Sequence, residues 1–191
     1  MSCEITLPDW AIAENKLLPD RIEDLEDRMR AVIQFSRLNF ELDTGGPFAA
    51  GVFEKTTGEV VLIGVNRVVP MNMSSAHAEI VAISLAQQKL QTFDLGGPGM
   101  PEYQLVVNGR PCAMCFGSIP WSGIRSLVVG ASGDQIETLT GFDEGPIHPN
   151  WQAELKRRGI EVVEGVLADE ACEVFRDFGQ SGQPIYNGRS G

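Results

Sequence analysis

His77, Cys112 and Cys115 are the residues whose types and spacing could do chemistry. One imidazole and two thiolates, the latter within Pro111-Cys112-Ala113-Met114-Cys115, offer three ligands to a single Zn²⁺. A fourth tetrahedral position stays free for water, which separates a catalytic zinc from a structural one. Glu79 follows His77 by two residues. On a helix, positions i and i+2 do not share a face, so its carboxyl is poorly placed to be a fourth ligand and is free to move protons. Zinc brings the pKa of a bound water down to roughly 7. The hydroxide would add to an electron-poor carbon. Glu79 would take the water's proton and return it to the leaving group. One carboxyl acting as base and then acid needs a tunable pKa in a desolvated site.

The same residues have plainer readings. A Cys-x-x-Cys pair can be a redox couple or half of a structural zinc site. Besides His77 the chain has one other histidine, His148, and no second cysteine pair, so a closed site has few candidate ligands. A zinc-stabilised binding protein without turnover is a further reading, against which an intact Glu79 argues.

The elements that must position these residues can be read from apolar periodicity. The opening stretch to Leu18 is irregular, with one helical turn around Trp10 to Asn15. From Asp20 as N-cap, Ile22, Leu25, Met29, Val32, Ile33 and Phe40 form a helical stripe, which Asp43-Thr44-Gly45-Gly46-Pro47 breaks. Two short strands follow, Phe48 to Glu54 and Val60 to Asn66, joined by a hairpin loop. A long helix runs from Ala76 to Phe93, opened by Ser74 and Ser75 as capping residues. Then come a strand from Tyr103 to Val107, a helix from Cys112 to Ile119 entered through Pro111, and a strand from Arg125 to Gly130. A helix from Glu154 to Arg158, a strand from Glu161 to Val166 and a helix from Asp169 to Phe178 close the pattern. Parallel strands need helical crossovers, so the later strands should be parallel in a mixed sheet. The expected fold class is α/β, a three-layer α/β/α sandwich around a mixed five-stranded sheet. Residues 1–191 are expected to form one domain, with 179–191 a Gly/Ser-rich polar tail. Both halves of the zinc motif then fall at helix N-termini, whose dipoles favour the thiolates.

Bulk composition narrows the function. The chain has 191 residues, 43% hydrophobic and 21% charged, as a globular domain does. No apolar run approaches the ~20 residues of a membrane span, and the N-terminus lacks a signal-peptide layout, so a cytoplasmic protein without membrane association is expected. Cys172 reads as a small buried hydrophobe, and Cys3 lies in an end expected to be disordered. Fifteen basic against 26 acidic residues give a net charge of −11, and no Lys/Arg stripe is present. A nucleic-acid partner is therefore disfavoured, and a small, weakly charged substrate is favoured.

Other residues could complete a pocket. Asn66 could hydrogen-bond a substrate edge or simply end its strand. Phe48 and Trp121 could stack on a flat ring, although lone aromatics more often pack in cores. Asp143 and Glu144, in Gly141-Phe142-Asp143-Glu144-Gly145-Pro146, could be a second acidic site or a solvated loop.

His77-Ala78-Glu79 with Pro111-Cys112-Ala113-Met114-Cys115 is the signature of zinc-dependent nucleobase deaminases. Together with Gly45-Gly46-Pro47-Phe48, Asn66, Trp121, Gly141-Phe142-Asp143-Glu144 and the tail Pro184-Ile185-Tyr186-Asn187, the chain resembles the guanine deaminases of the cytidine deaminase superfamily from about Gly45 to Tyr186. That resemblance implies a cytidine-deaminase-like fold and hydrolysis of guanine to xanthine and ammonia. It implies one Zn²⁺ per chain on His77, Cys112 and Cys115, with Glu79 as the proton shuttle. Asn66 and the Ala78 N–H would hold the purine, Phe48 would stack on it, and Trp121 would shape the pocket. Asp143 or Glu144 would meet the guanine edge or assist the second proton transfer. Tyr186 would act in a lid with Gly179 and Gly182 as flexible points, in a homodimer whose tails can be swapped. Guanosine, cytosine and a triazine such as ammeline are alternative substrates. A tRNA adenosine deaminase shares the zinc motif, but the acidic total and the long tail argue against it. Relatives commonly carry Glu before the Pro-Cys pair, where this chain has Arg110, a departure that bears on the pocket.

Overall fold

The computed structural model describes residues 4–187; Cys3 and the last four residues of the expected tail lie outside them. The chain opens with α1 (Asp9–Leu17), a full helix where a single turn was expected. Asn15 ties it to the sheet, donating to the Ile63 carbonyl at 2.9 Å and accepting from the Ile63 N–H at 2.7 Å. The next helix, α2 (Leu25–Glu41), starts later than its apolar stripe suggested. Asp24, not Asp20, is the N-cap, accepting from the Glu26 and Asp27 N–H groups. Asp20 and Arg21 extend the sheet edge instead: the Asp20 carbonyl accepts from Val60 N–H, and Arg21 bridges Glu59. A periodicity of 3.6 cannot distinguish a helix's first turn from an extended approach that buries the same residues.

Two strands, β1 (Ala49–Glu54) and β2 (Val60–Val65), form the expected hairpin. The short α3 (Val68–Met71) follows, then α4 (Ala78–Lys89), whose N-cap position is His77, so Ser74 and Ser75 do not open it. Next come β3 (Tyr103–Gly109), α5 (Ala113–Ser122) and β4 (Ser126–Ala131). An unanticipated helix, α6 (Gly133–Thr140), precedes the expected α7 (Trp151–Lys156), β5 (Glu161–Glu164) and α8 (Ala168–Gln180).

The strands lie in the order β2-β1-β3-β4-β5. β1 is antiparallel to both β2 and β3, while β3, β4 and β5 run parallel, as the crossover argument required. Alternate strand residues feed two cores. Val106 and Val128 point to the face covered by α2 and α8, where Met29, Phe35, Phe175 and Phe178 are buried. Leu105, Val107, Leu127 and Val129 point to the other face, under Ala82, Ala86, Ile119 and Leu155 of α4, α5 and α7. This is the expected three-layer α/β/α sandwich with a mixed five-stranded sheet. Cys172 is buried on α8, as a small hydrophobe would be. Among the described residues, no helix is long and apolar enough to cross a membrane.

One edge of this sheet collects the chemistry. Because β1 is antiparallel to β3, its start lies beside the ends of β2, β3 and β4. Phe48 precedes β1, Asn66 follows β2, and Arg110 to Cys112 follow β3. Crevices at the carboxyl ends of parallel strands are where α/β sheets bind ligands.

Candidate active site

His77 and Cys112 occupy the N-cap positions of α4 and α5, and Cys115 sits one turn into α5. Both helix starts therefore aim free backbone N–H groups and positive dipole ends at one point. The His77 Nδ1 lies 3.5 Å from the Cys112 Sγ. The three donor atoms all lie within 4.8 Å of one another. Tetrahedral zinc with bonds of about 2.0 Å to nitrogen and 2.3 Å to sulfur requires an N···S separation of roughly 3.5 Å. The donor set and its spacing fit Zn²⁺.

The electrostatics are those of a ligand cluster. Contact with the Cys115 thiol, then with His77, holds the Cys112 thiol down at about 4, against the cost of burial. Cys115, sharing that contact and fully buried, is pushed well above its ordinary range. Metal ligands must be deprotonated, so zinc binding here displaces the Cys115 proton. Burial alone would lower the His77 pKa, but Cys112, Glu79 and Glu144 outweigh it and raise it.

Glu79 is buried in the first turn of α4. Burial, followed by the Cys112 charge, raises its carboxyl to about 7, while His77 and its own backbone N–H pull it back. Glu144 is also buried. Burial, then Cys112 and Glu79, raise it to about 8, against Arg110 and His77. A divalent cation on the three ligands would oppose the Cys112 contribution to both. The Glu144 carbonyl accepts from the Ala113 N–H at 3.0 Å, which pins the acidic loop to the start of α5.

These groups face one cavity of about 490 Å³, lined by Phe48, Asn66, His77, Glu79, Arg110, Cys112, Phe142, Asp143, Glu144 and Tyr186 among others. Of the expected substrate residues, Phe48, Asn66, Asp143 and Tyr186 reach it. Ala78 is fully buried at the first position of α4, where its N–H is one of the donors a helix leaves without an internal partner. Trp121 does not reach the cavity. Its side chain is 87% exposed and lines a separate surface depression with Phe116, Pro120 and His148. The reason is helical phase: α5 turns Cys115, Ile119 and Ser122 inward, and the residue before Ser122 is rotated about 100° away.

The tail reaches the site; of its two expected flexible points, Gly179 is held within a helix while Gly182 lies beyond it. Gly179 belongs to α8 and packs against α6, where a Cβ would stand 2.0 Å from the Leu139 carbonyl oxygen. The chain leaves the helix at Ser181, and Gly182 takes a left-handed φ of +74° in open space. Gln183 then clasps α2, donating to the Phe40 carbonyl and Asp43 Oδ1, both at 2.8 Å. The Tyr186 ring packs on Phe142 with centroids 4.6 Å apart. Its hydroxyl sits where a Cβ on Gly46 would be only 2.3 Å away, so that close approach requires glycine.

Several supporting residues carried no legible signal in the sequence. Asn39, fully buried on α2, donates from Nδ2 to the Gly46 carbonyl at 2.8 Å and to the Asn66 carbonyl at 2.9 Å. Asn108, buried in β3, accepts from the Ala49 N–H and donates to the Pro47 carbonyl, both at 3.0 Å. Together they fix the segment carrying Phe48 and the backbone carrying Asn66. Asn187 accepts from the Asp143 N–H and donates to the Gly141 carbonyl, both at 2.9 Å, tying the tail to the acidic loop. A buried or loop Asn has no periodicity, so only the fold reveals what it holds.

The profile of the cytidine and deoxycytidylate deaminase zinc-binding region matches residues 22–131. Among solved structures, the guanine deaminase from Nitrosomonas europaea superposes with a TM-score of 0.89 at 46% identity, covering 93% of this chain and 96% of that one. Among curated relatives, a guanine deaminase from Bacillus subtilis is 29% identical over 136 residues, 70% of this chain and 82% of its own length. A tRNA-specific adenosine deaminase from Buchnera aphidicola is 27% identical over 120 residues, 63% of this chain and 72% of its own.

Proposed function

This chain belongs to the cytidine and deoxycytidylate deaminase family, and we propose that the nucleobase it deaminates is guanine, hydrolysed to xanthine and ammonia. It is a zinc-dependent hydrolase of C–N bonds. The observation that carries the choice of guanine is the convergence of Phe48, Asn66, Glu144 and Tyr186 on the cavity that also holds His77, Glu79 and Cys112. The 46% likeness along 93% of the chain to a guanine deaminase supports it. The tail supports a small base over a tRNA loop, because Tyr186 and Asn187 line the cavity and the chain carries a net charge of −11.

Zinc held by His77, Cys112 and Cys115 supplies Lewis acidity and a nucleophilic water at neutral pH. The chain's own residues do the rest. Phe48 stacks on the purine, and the Asn66 amide and the Ala78 N–H hold its edge, so that the aminated carbon faces Glu79. Glu79 takes a proton from the attacking water as the C–O bond forms and delivers it to the ring nitrogen. When the C–N bond breaks, the added hydroxyl gives up its proton as the C=O forms, and Glu79 or Glu144 passes it to the departing amine, which leaves as ammonia. A carboxyl near pH 7 is suited to both directions of transfer. Tyr186 and Phe142 exclude water over the ring.

Ammonia release by the zinc-loaded protein should be measured against guanine, guanosine, cytosine, adenine, ammeline and a tRNA anticodon stem-loop. Guanine should lead the panel. Glu79→Gln should retain one zinc and lose turnover by about 10²–10⁴-fold. Leading activity on another substrate would refute guanine, and a Glu79→Gln variant with full turnover would refute the shuttle.

A further inference from the structure

Among the described residues lining the cavity, Arg110 is the one lysine or arginine; the other charged or ionisable walls include Glu79, Asp143, Glu144 and Cys112. Its backbone continues β3, the N–H donating to the Ala131 carbonyl at 2.9 Å. Its side chain makes one hydrogen bond, at 3.3 Å, to the carbonyl of the adjacent Pro111, and no ion pair with any described residue. A guanidinium has five N–H donors in a planar fork that matches a carboxylate, and most of these are uncommitted. Room for the fork is reserved by Gly133. A Cβ there would lie 2.0 Å from Nη2 and 2.1 Å from Nε of Arg110. Gly133 is also the first residue of α6, where the helix dipole disfavours a neighbouring cation. Fold stability therefore gives little reason for an arginine at this position.

We propose that Arg110 is a specificity-determining residue that extends the substrate class to aminated heterocycles bearing an anionic substituent, such as a ring carboxylate, remote from the aminated carbon. The inference deepens the guanine reading and rests on it for the orientation of the ring. Two features of the cavity support it. Its volume of about 490 Å³ lies within the range of sites that take ligands larger than a single base. With the aminated edge of the ring at the zinc end, the guanidinium is the cationic side chain among the described lining left to meet a substrate carboxylate. That contact would be a bidentate, charge-assisted pair.

Pterin and pterin-6-carboxylate test the proposal, because their 2-amino-4-oxo edge matches the 2-amino-6-oxo edge of guanine and they differ by one carboxylate. Binding to the zinc-loaded protein is read from quenching of the pterins' own fluorescence, with guanine turnover measured on the same preparation. The carboxylate should tighten Kd by about tenfold or more, the range of a hydrogen bond to a charged group. Arg110→Gln should bring the ratio of the two Kd values close to one. Gly133→Ala should do the same while keeping the arginine, since the new methyl displaces the fork and Ala suits a helix. A role limited to offsetting the thiolate charge would shift both ligands together and leave their ratio unchanged. A wild-type ratio near one, or a ratio that survives Arg110→Gln, would overturn the proposal. Loss of guanine turnover with the carboxylate preference intact would instead overturn the guanine reading and leave the role of Arg110 standing.

Discussion

Replacing Asn39 should damage the site from a distance, by an amount the geometry sets. One amide nitrogen, fully buried, serves the Gly46 and Asn66 carbonyls at 2.8 and 2.9 Å, and the Asn39 Oδ1 accepts from the Thr44 hydroxyl at 2.9 Å. Asn39→Ala strands the Asn66 carbonyl and takes one of two donors from the Gly46 carbonyl, which also accepts from the Phe48 N–H at 2.8 Å. A buried acceptor left without its donor costs about 1–3 kcal/mol and a lost hydrogen bond to a still-paired acceptor about 0.5–1.5, so together roughly 1.5–4.5. Two terms reduce the loss: alanine's better helix propensity, worth about 0.5 kcal/mol on α2, and water entering the vacated space. A net loss of about 2 kcal/mol corresponds to a fall in Tm of about 4–8 °C for a chain of this size. Asn39→Asp keeps the shape and the Thr44 contact but turns an oxygen towards the two carbonyls, so it should cost at least as much. Calorimetry of both variants, with KM for guanine alongside, checks the argument. KM should rise more than kcat falls, because Asn66 and Phe48 lose their support while Glu79 keeps its own. An aspartate variant that melts within about 2 °C of the parent would refute the idea that the amide donor, and not the packing, holds this loop.

Tyr186 and Asn187 separate binding from folding in the tail. The Tyr186 hydroxyl is buried and makes no hydrogen bond of good geometry among the described residues, although the Asn66 side chain lies near enough to favour its ionised form. Burial, then the charges of Glu144 and Glu79, push its pKa upward, so it stays a donor. Tyr186→Phe should leave Tm unchanged or slightly raised and increase KM several-fold, whereas Tyr186→Ala should also remove the packing on Phe142; a drop in Tm on removing the hydroxyl alone would show that it has a partner in the protein. Asn187→Ala removes two partly solvated hydrogen bonds worth about 0.5–1.5 kcal/mol each. It should lower kcat/KM by up to about a hundredfold and speed amide exchange in the tail at unchanged Tm, and normal turnover beside faster exchange would divorce the clasp from catalysis.

What the sequence made legible follows from which forces are local. The sheet and most helices were readable because burial on two faces imposes periods of 2 and 3.6 on the residues, and β3, β4 and α8 obey them with one core on each side. Element starts were less legible. The stripe that begins at Ile22 is buried in an extended segment before it is buried in a helix, so Asp20 and Asp24 present equal capping chemistry, and tertiary pairing to Val60 decides between them. The unread α6 did carry a local signal. Ser132 and Gln135 form a capping box, but the helix between Gly133 and Gly141 buries too few apolar residues for periodicity to register.

The site divides along the same line. The zinc ligands and Glu79 were legible because metal coordination constrains residue type and spacing within single helix starts. Trp121 was misread because type alone was available for it, and only the phase of α5 shows that its ring turns away from Cys115. What Asn39, Asn108 and Asn187 hold was invisible for a deeper reason. Each acts by satisfying backbone carbonyls or amides of distant segments, and which backbone groups are left needing a partner is settled only once the strands have paired. Arg110 stands between these cases. Its charge was visible in sequence as a departure beside the zinc motif, but its meaning depends on Gly133, which leaves the space its guanidinium occupies. A motif therefore identifies the chemistry because it is local, whereas specificity is carried by pairs such as Arg110 and Gly133 that the fold alone brings together.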